Sequence, residues 1–126
     1  MPFILTDQLK QIELFPQALS RIVAGEQIML SFLEMEMEMD CIIPEYSHPH
    51  EQAGLVLSGK LRFRIGNEER IVGAGDAFLI PKNLVHSGQV IEGPVKVLDI
   101  FGPPREDYLD AYNQHDETSE QTVWQT

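Results

Sequence analysis

Residues 33–39 read Leu-Glu-Met-Glu-Met-Glu-Met, a strict alternation with period two. On a strand this puts Leu33, Met35, Met37 and Met39 on one face and Glu34, Glu36 and Glu38 on the other. Residues 60–65 repeat the device: Leu61, Phe63 and Ile65 face inward while Lys60, Arg62 and Arg64 face outward. Just upstream, residues 28–32 are apolar on nearly both faces. That predicts cover on both sides, from the core and from either the chain's own segment 12–15 or a second subunit. Residues 54–58, 78–80 and 95–101 add apolar strands, with turns or breaks at Gly66-Asn67, at 73–76, at Gly88 and at Gly93. Gly102-Pro103-Pro104 ends the sheet, and 105–112 is predicted as a short helix with Tyr108, Leu109 and Tyr112 on one side. Short strands separated by glycine turns predict an all-β barrel or sandwich.

Length and charge narrow the possibilities. At 126 residues the chain is expected to form one domain, residues 1–112, followed by a polar tail over 113–126. Nine basic residues against twenty acidic ones give a formal charge of −11. A phosphate-binding face needs the opposite sign, so neither nucleic acid nor an anionic membrane surface is an expected partner. The single Cys41 excludes an internal disulfide. With no basic leader and no run of roughly 20 apolar residues, a cytoplasmic location is expected.

The candidate chemistry gathers in two runs. Tyr46-Ser-His-Pro-His-Glu-Gln52 offers His48, His50, Gln52 and Tyr46, and Pro81-Lys-Asn-Leu-Val-His86 offers His86. Imidazoles from distant segments converging in an apolar barrel suit a first-row transition metal. Asp99 sits in an apolar strand with the parity of Val97 and Phe101, so a carboxylate would enter the barrel. Such a group is costly unless paired, and is a candidate general base. The bland alternative is a turn cap at the strand end. Arg105 lies just beyond, placed to grip a substrate carboxylate bidentately, or else to pair at the surface with Glu106 or Asp110. The internal methionines read first as core filling, and Met35 and Met37 as adaptable lining beside Phe63, Phe78 and Ile80.

At these residues the chain resembles the cupins, jelly-roll barrels of the double-stranded β-helix type. Gly59 lies seven positions after Gln52, which puts Gln52 in the first motif's acidic-ligand slot, His48 in its second histidine slot and Tyr46 in its first. Gly75, Pro81, Asn83 and His86 fill the second motif. The ending from Val97 to Leu109 resembles the small cupins of pectin and alginate breakdown, which open the ring of unsaturated uronates to the linear keto form. That resemblance implies functional roles for Asp99, Phe101 and Arg105, and a divalent metal (zinc, nickel, iron or manganese) held by His48, Gln52 and His86, with Tyr46 the departure from pattern. A neutral tyrosine, with a pKa near ~10, is a poor ligand for zinc or nickel. Four readings stay open: Tyr46 ligates, His50 supplies the nitrogen, the metal has three protein ligands, or only a pocket remains. The implied function is a metal-dependent enzyme acting on a small carboxylated sugar, as a homodimer. An iron-dependent dioxygenase and a non-enzymatic ligand-binding cupin are the alternatives.

Overall fold

The computed structural model describes residues 3–35 and 42–114. Eight strands and one helix follow in order: β1 (Ile12–Phe15), β2 (Ala18–Ala24), β3 (Met29–Met35), β4 (Ile42–Tyr46), β5 (Glu51–Ile65), β6 (Glu68–Gly73), β7 (Ala77–Ile80), β8 (His86–Gly102) and α1 (Glu106–Gln114). All strand pairs are antiparallel. The expected β class and C-terminal helix are both present.

Two long strands make the barrel. The first part of β5 pairs with β7, and its second part with β6. The second part of β8 pairs with β3, and its start with β4. Because β5 and β8 also pair with each other along their length, two sheets share them. The larger sheet runs β1-β2-β3-β8-β5-β7, and the smaller runs β4-β8-β5-β6. The corner lies where the β5/β8 register shifts between Val56 and Leu61. Gly59 sits there at φ +80°, and a Cβ on it would come within 2.5 Å of the Pro94 carbonyl. Only glycine allows both that backbone geometry and that approach.

Alternation decides what fills the interior. Met29, Leu33 and Met35 of β3, Leu61 and Phe63 of β5, and Val90, Val95 and Val97 of β8 are all buried. Burial of each such side chain stabilises by about 1.5–3 kcal/mol. The inward parities of residues 33–35 and 61–65 agree with the sequence pattern. Met37, Met39, Glu36, Glu38 and Cys41 lie outside the described residues.

Three expectations change. Gly88 does not break the sheet, since it pairs with Phe63 inside β8, whereas Gly93 lies between Glu92 and Lys96, where the register with β5 shifts. At Gly88 a Cβ would meet Phe63 at 2.8 Å and Ile43 at 3.1 Å, so the glycine marks close packing. The stretch 28–32 is covered once among the described residues: Met29 and Ser31 are buried, while Ile28 is 52% exposed. Segment 12–15 provides no second cover, because β1 extends the sheet edgewise through β2 and buries its side chains inward. Finally, α1 runs to Gln114, two residues past the expected domain boundary, and the rest of the tail lies outside the described residues. Among those described, no helix is long and apolar enough to cross a membrane.

Candidate functional site

One end of the barrel interior is polar. Tyr46 ends β4 directly opposite His86, which begins β8. Gln52, near the start of β5, lies opposite Phe101 and Ile80. Asp99 points inward from β8, as its parity predicts, and is 5% exposed. His48 arrives from the β4–β5 loop, whose carbonyl accepts a hydrogen bond from the Asn83 N–H at 2.7 Å. Asn83 adopts φ +65°, so the second motif's turn is tied to the first motif's loop. His48, Gln52, His86, Asp99 and Arg105 are all buried.

Hydrogen bonds order these groups. The Gln52 side-chain carbonyl accepts from His48 Nε2 at 3.0 Å, and its amide nitrogen donates to Asp99 Oδ1 at 2.9 Å. Gln52 thus links the imidazole to the carboxyl. His86 donates from Nδ1 to the Leu84 carbonyl at 2.9 Å, which leaves the lone pair on Nε2. That Nε2 and His48 Nδ1 are buried with no hydrogen-bond partner.

Burial tunes the charges. It pushes the Asp99 carboxyl up from 3.8 to about 7, against the Gln52 hydrogen bond and the Arg105 charge. His48 falls from 6.5 to about 4, first through burial and then through Arg105. His86 and His50 are lowered too, chiefly by burial. Near pH 7 the interior therefore holds neutral imidazoles beside a carboxyl poised between its two states.

Arg105 differs from both sequence readings. It is 5% exposed, so it is no surface residue, and its partner is Asp107 instead of Glu106 or Asp110. Nε and Nη2 meet the two Asp107 oxygens at 3.2 and 2.8 Å. The fork edge assigned above to a substrate is thus occupied from within the chain, and the buried Nη1 has no partner. The guanidinium carbon lies 3.7 Å over the Tyr108 ring and 5.2 Å from that of Phe101. Burial works against its charge, but Tyr108, Asp107 and Tyr46 outweigh it and hold Arg105 above its usual value.

Sequence reasoning missed Tyr108. It is buried, lines the cavity from α1 and hydrogen-bonds with Tyr46. The Tyr46 side chain is therefore engaged by Tyr108, with its ring 4.6 Å from that of His86. The helical spacing that set Tyr108 beside Leu109 and Tyr112 was the available signal, but it pointed only to packing. His50 is half-buried beside His48, with ring centroids 5.5 Å apart. Phe101 is buried and meets the His48 ring edge-on at 5.7 Å.

The donor set fits a metal ion. Among the described residues no three His, Cys, Asp or Glu side chains gather as a metal group, and beside the two imidazoles a third donor would have to be the Gln52 oxygen. The free His86 Nε2, with its other nitrogen tied to backbone, is how metal-ligating histidines are prepared. Gln52, His86 and Asp99 line one partly open cavity with Tyr46 and Tyr108.

Residues 33–101 match the family described as "Cupin domain". The pectin degradation protein KdgF of Dickeya dadantii (strain 3937) is 35% identical over 60 residues, 48% of this chain and 54% of that protein. The match thus spans about half the length of that curated relative. Among solved structures, KdgF from Halomonas sp. superposes with a TM-score of 0.78 at 23% identity, covering 86% of this chain and 98% of that one. A RmlC-like cupin from Shewanella frigidimarina gives 0.77 at 19% identity, covering 86% and 96%. At these identities both structures speak for the fold alone.

Proposed function

The chain belongs to the cupin family, and from that premise we propose that it is a metal-dependent enzyme that opens the ring of an unsaturated uronate. The observation that carries this reading is Asp99: a buried carboxyl, raised to about 7, hydrogen-bonded through Gln52 to an imidazole. A purely structural barrel gains nothing from that arrangement, because an apolar residue there is cheaper to bury. The likeness to a pectin degradation protein supports the substrate class.

In this reading His48, Gln52 and His86 hold a divalent metal, which supplies Lewis acidity at a substrate oxygen when bound. Tyr46 stays with Tyr108 as part of the wall. Asp99 takes the proton of the anomeric hydroxyl as the bond from C1 to the ring oxygen breaks, giving an aldehyde and an enolate. It then returns the proton to the enolate carbon, so the linear keto product is an isomer of the substrate and no other reactant is consumed. Arg105 offers Nη1 to the substrate carboxylate, and Phe101 forms the apolar wall. The pocket that would receive the substrate is lined by Gln52, His86, Asp99 and Tyr108 together.

The test is incubation of metal-loaded protein with unsaturated galacturonate, following loss of its ultraviolet absorbance. The expected result is acceleration over buffer that a chelator abolishes and added metal restores. No acceleration with protein whose metal content has been verified sinks the reading.

A further inference from the structure

On the inner face of the larger sheet, Gly54 of β5 stands in register between Asp99 of β8 and Phe78 of β7. A Cβ on Gly54 would run into the Phe78 ring, with Cε1 at 2.5 Å and Cε2 at 2.6 Å. The tip of that ring therefore lies over the glycine, on the side of β5 that faces Asp99. The ring has different surroundings on its two sides. Inward it lines the cavity of Gln52, His86 and Asp99. Outward it lines a second hollow of about 480 Å³, between β6, β7 and the loop that precedes β8. Ile65, Val72, Ala77 and Leu84 make that hollow apolar, and its two charged residues, Glu68 and Arg70, pair with each other at 2.6 Å. Phe63 and Phe78 are the two residues common to both linings, with ring centroids 4.7 Å apart. Cavity and hollow are thus divided by one pair of aromatic rings. Phe63 is buried, whereas Phe78 is only half-buried.

Core filling does not account for this arrangement. A ring that only filled the core would be enclosed on all sides, and glycine inside a strand weakens it, so seating Phe78 over Gly54 has a cost. We infer that Phe78 is a specificity-determining residue: it closes the cavity towards the hollow and restricts the site to a uronate whose ring hydroxyls carry no acyl group. The inference rests on the uronate reading above. In that reading the anomeric hydroxyl and the carboxylate must both be free, so selectivity among uronates falls on the remaining ring hydroxyls. An acetyl ester on one of them is small and largely apolar, and it needs apolar space beside the sugar. The hollow is space of that kind adjoining the cavity, and the Phe78 ring stands between the two. Gly54 fixes the ring there, because any larger residue would push it off its seat.

The test compares kcat/KM of metal-loaded wild type and Phe78→Ala on unsaturated galacturonate and on its 2-O-acetyl and 3-O-acetyl esters. The ratio of ester to parent is read within one preparation, so any unfolded fraction cancels. In wild type both esters should lie at least about tenfold below the parent, and in Phe78→Ala the ratio for at least one ester should rise at least about tenfold. Ile71→Ala, exposed on the smaller sheet, should keep the wild-type ratios. If circular dichroism shows Phe78→Ala unfolded, Phe78→Val, which suits a strand, replaces it. Ratios that do not move when the ring is removed overturn the inference, and so does a wild type that takes the esters as readily as the parent. Toluene separates these outcomes from a failure of the uronate reading. Removing the ring leaves an apolar gap of the kind that binds small aromatics, so toluene should raise the melting temperature of the Phe78 variant and not that of wild type. If no protein opens the parent sugar, the uronate reading fails. Toluene binding by the variant alone then upholds Phe78 as the closure between cavity and hollow, and equal binding, or none, overturns it.

Discussion

Met35, Val56, Leu61, Val90 and Val95 fill the corner end of the barrel, and His48, Gln52, His86, Asp99 and Arg105 fill the mouth end, both sets at most 7% exposed. The same β5 and β8 supply most of both sets, so neither depth nor strand accounts for the difference. At the corner end each buried side chain adds stability. At the mouth end Asp99 and Arg105 are kept at a cost, since well-packed apolar residues in place of buried ionisable groups are often neutral or stabilising. Cost without structural return is the physical mark of a functional site.

The largest effect expected comes from breaking the mouth end at its most expensive member. Asp99→Asn keeps the shape and the hydrogen bond to Gln52 within reach, but cannot carry the proton. Turnover of unsaturated galacturonate should fall roughly 10²–10⁴-fold, while the melting temperature stays level or rises. A melting temperature that falls instead would make Asp99 a structural residue. At the corner end the signs reverse. Leu61→Ala should cost about 2–5 kcal/mol in urea unfolding, with turnover per folded molecule within about twofold of wild type. A specific loss of turnover there would mean that the two ends are coupled.

A smaller effect is expected at Asp107, which holds Arg105 by its fork edge. Asp107→Ala should raise KM for the uronate by roughly three- to tenfold and leave kcat within about twofold. An unchanged KM would show that Arg105 is oriented by its aromatic neighbours alone.

The smallest effect is in pH dependence, read on chelator-treated protein. Asp99 is raised in the folded state, so its burial is nearly free below 3.8 and increasingly costly up to about 7. His48 is depressed, so the stability from its neutral form is present above 6.5 and lost as pH falls toward 4. The two slopes oppose each other between about 4 and 6.5. Asp99→Asn removes the offset, so its urea midpoint should drop more than that of wild type between pH 7 and pH 5. Equal drops would mean that Asp99 is not raised in the fold.

Much of the mouth end was legible beforehand. The parity of Asp99 with Val97 and Phe101 placed its side chain inside the barrel, and the resemblance that put Gln52 in a ligand slot implied the same for Gln52; both are buried. Alternation works because the strand period is two and one face of each sheet meets the core. The failures share a cause. Gly88 read as a break because glycine is usually punctuation, yet it pairs with Phe63 of β5 and the strand runs on through it. For Arg105 the alternative to a substrate grip was an outward pair with Glu106 or Asp110, because its neighbours are acidic. Its burial depends on Tyr108 and Phe101, which reach it from a helix and a strand and leave no local pattern.

By itself, then, the sequence determined which strand faces are inward, where most turns fall and that Asp99 enters the barrel. These follow from local periodicity and from the conformations open to glycine and proline. Tertiary structure alone decided how the groups inside it engage: Gln52 between His48 and Asp99, Tyr46 with Tyr108, Asp107 on the fork edge of Arg105, and the Phe78 ring over Gly54. Hydrogen bonds such as that from Gln52 to Asp99 join residues 47 positions apart. Their geometry is set by how two sheets close on each other, which no pattern along a single strand records.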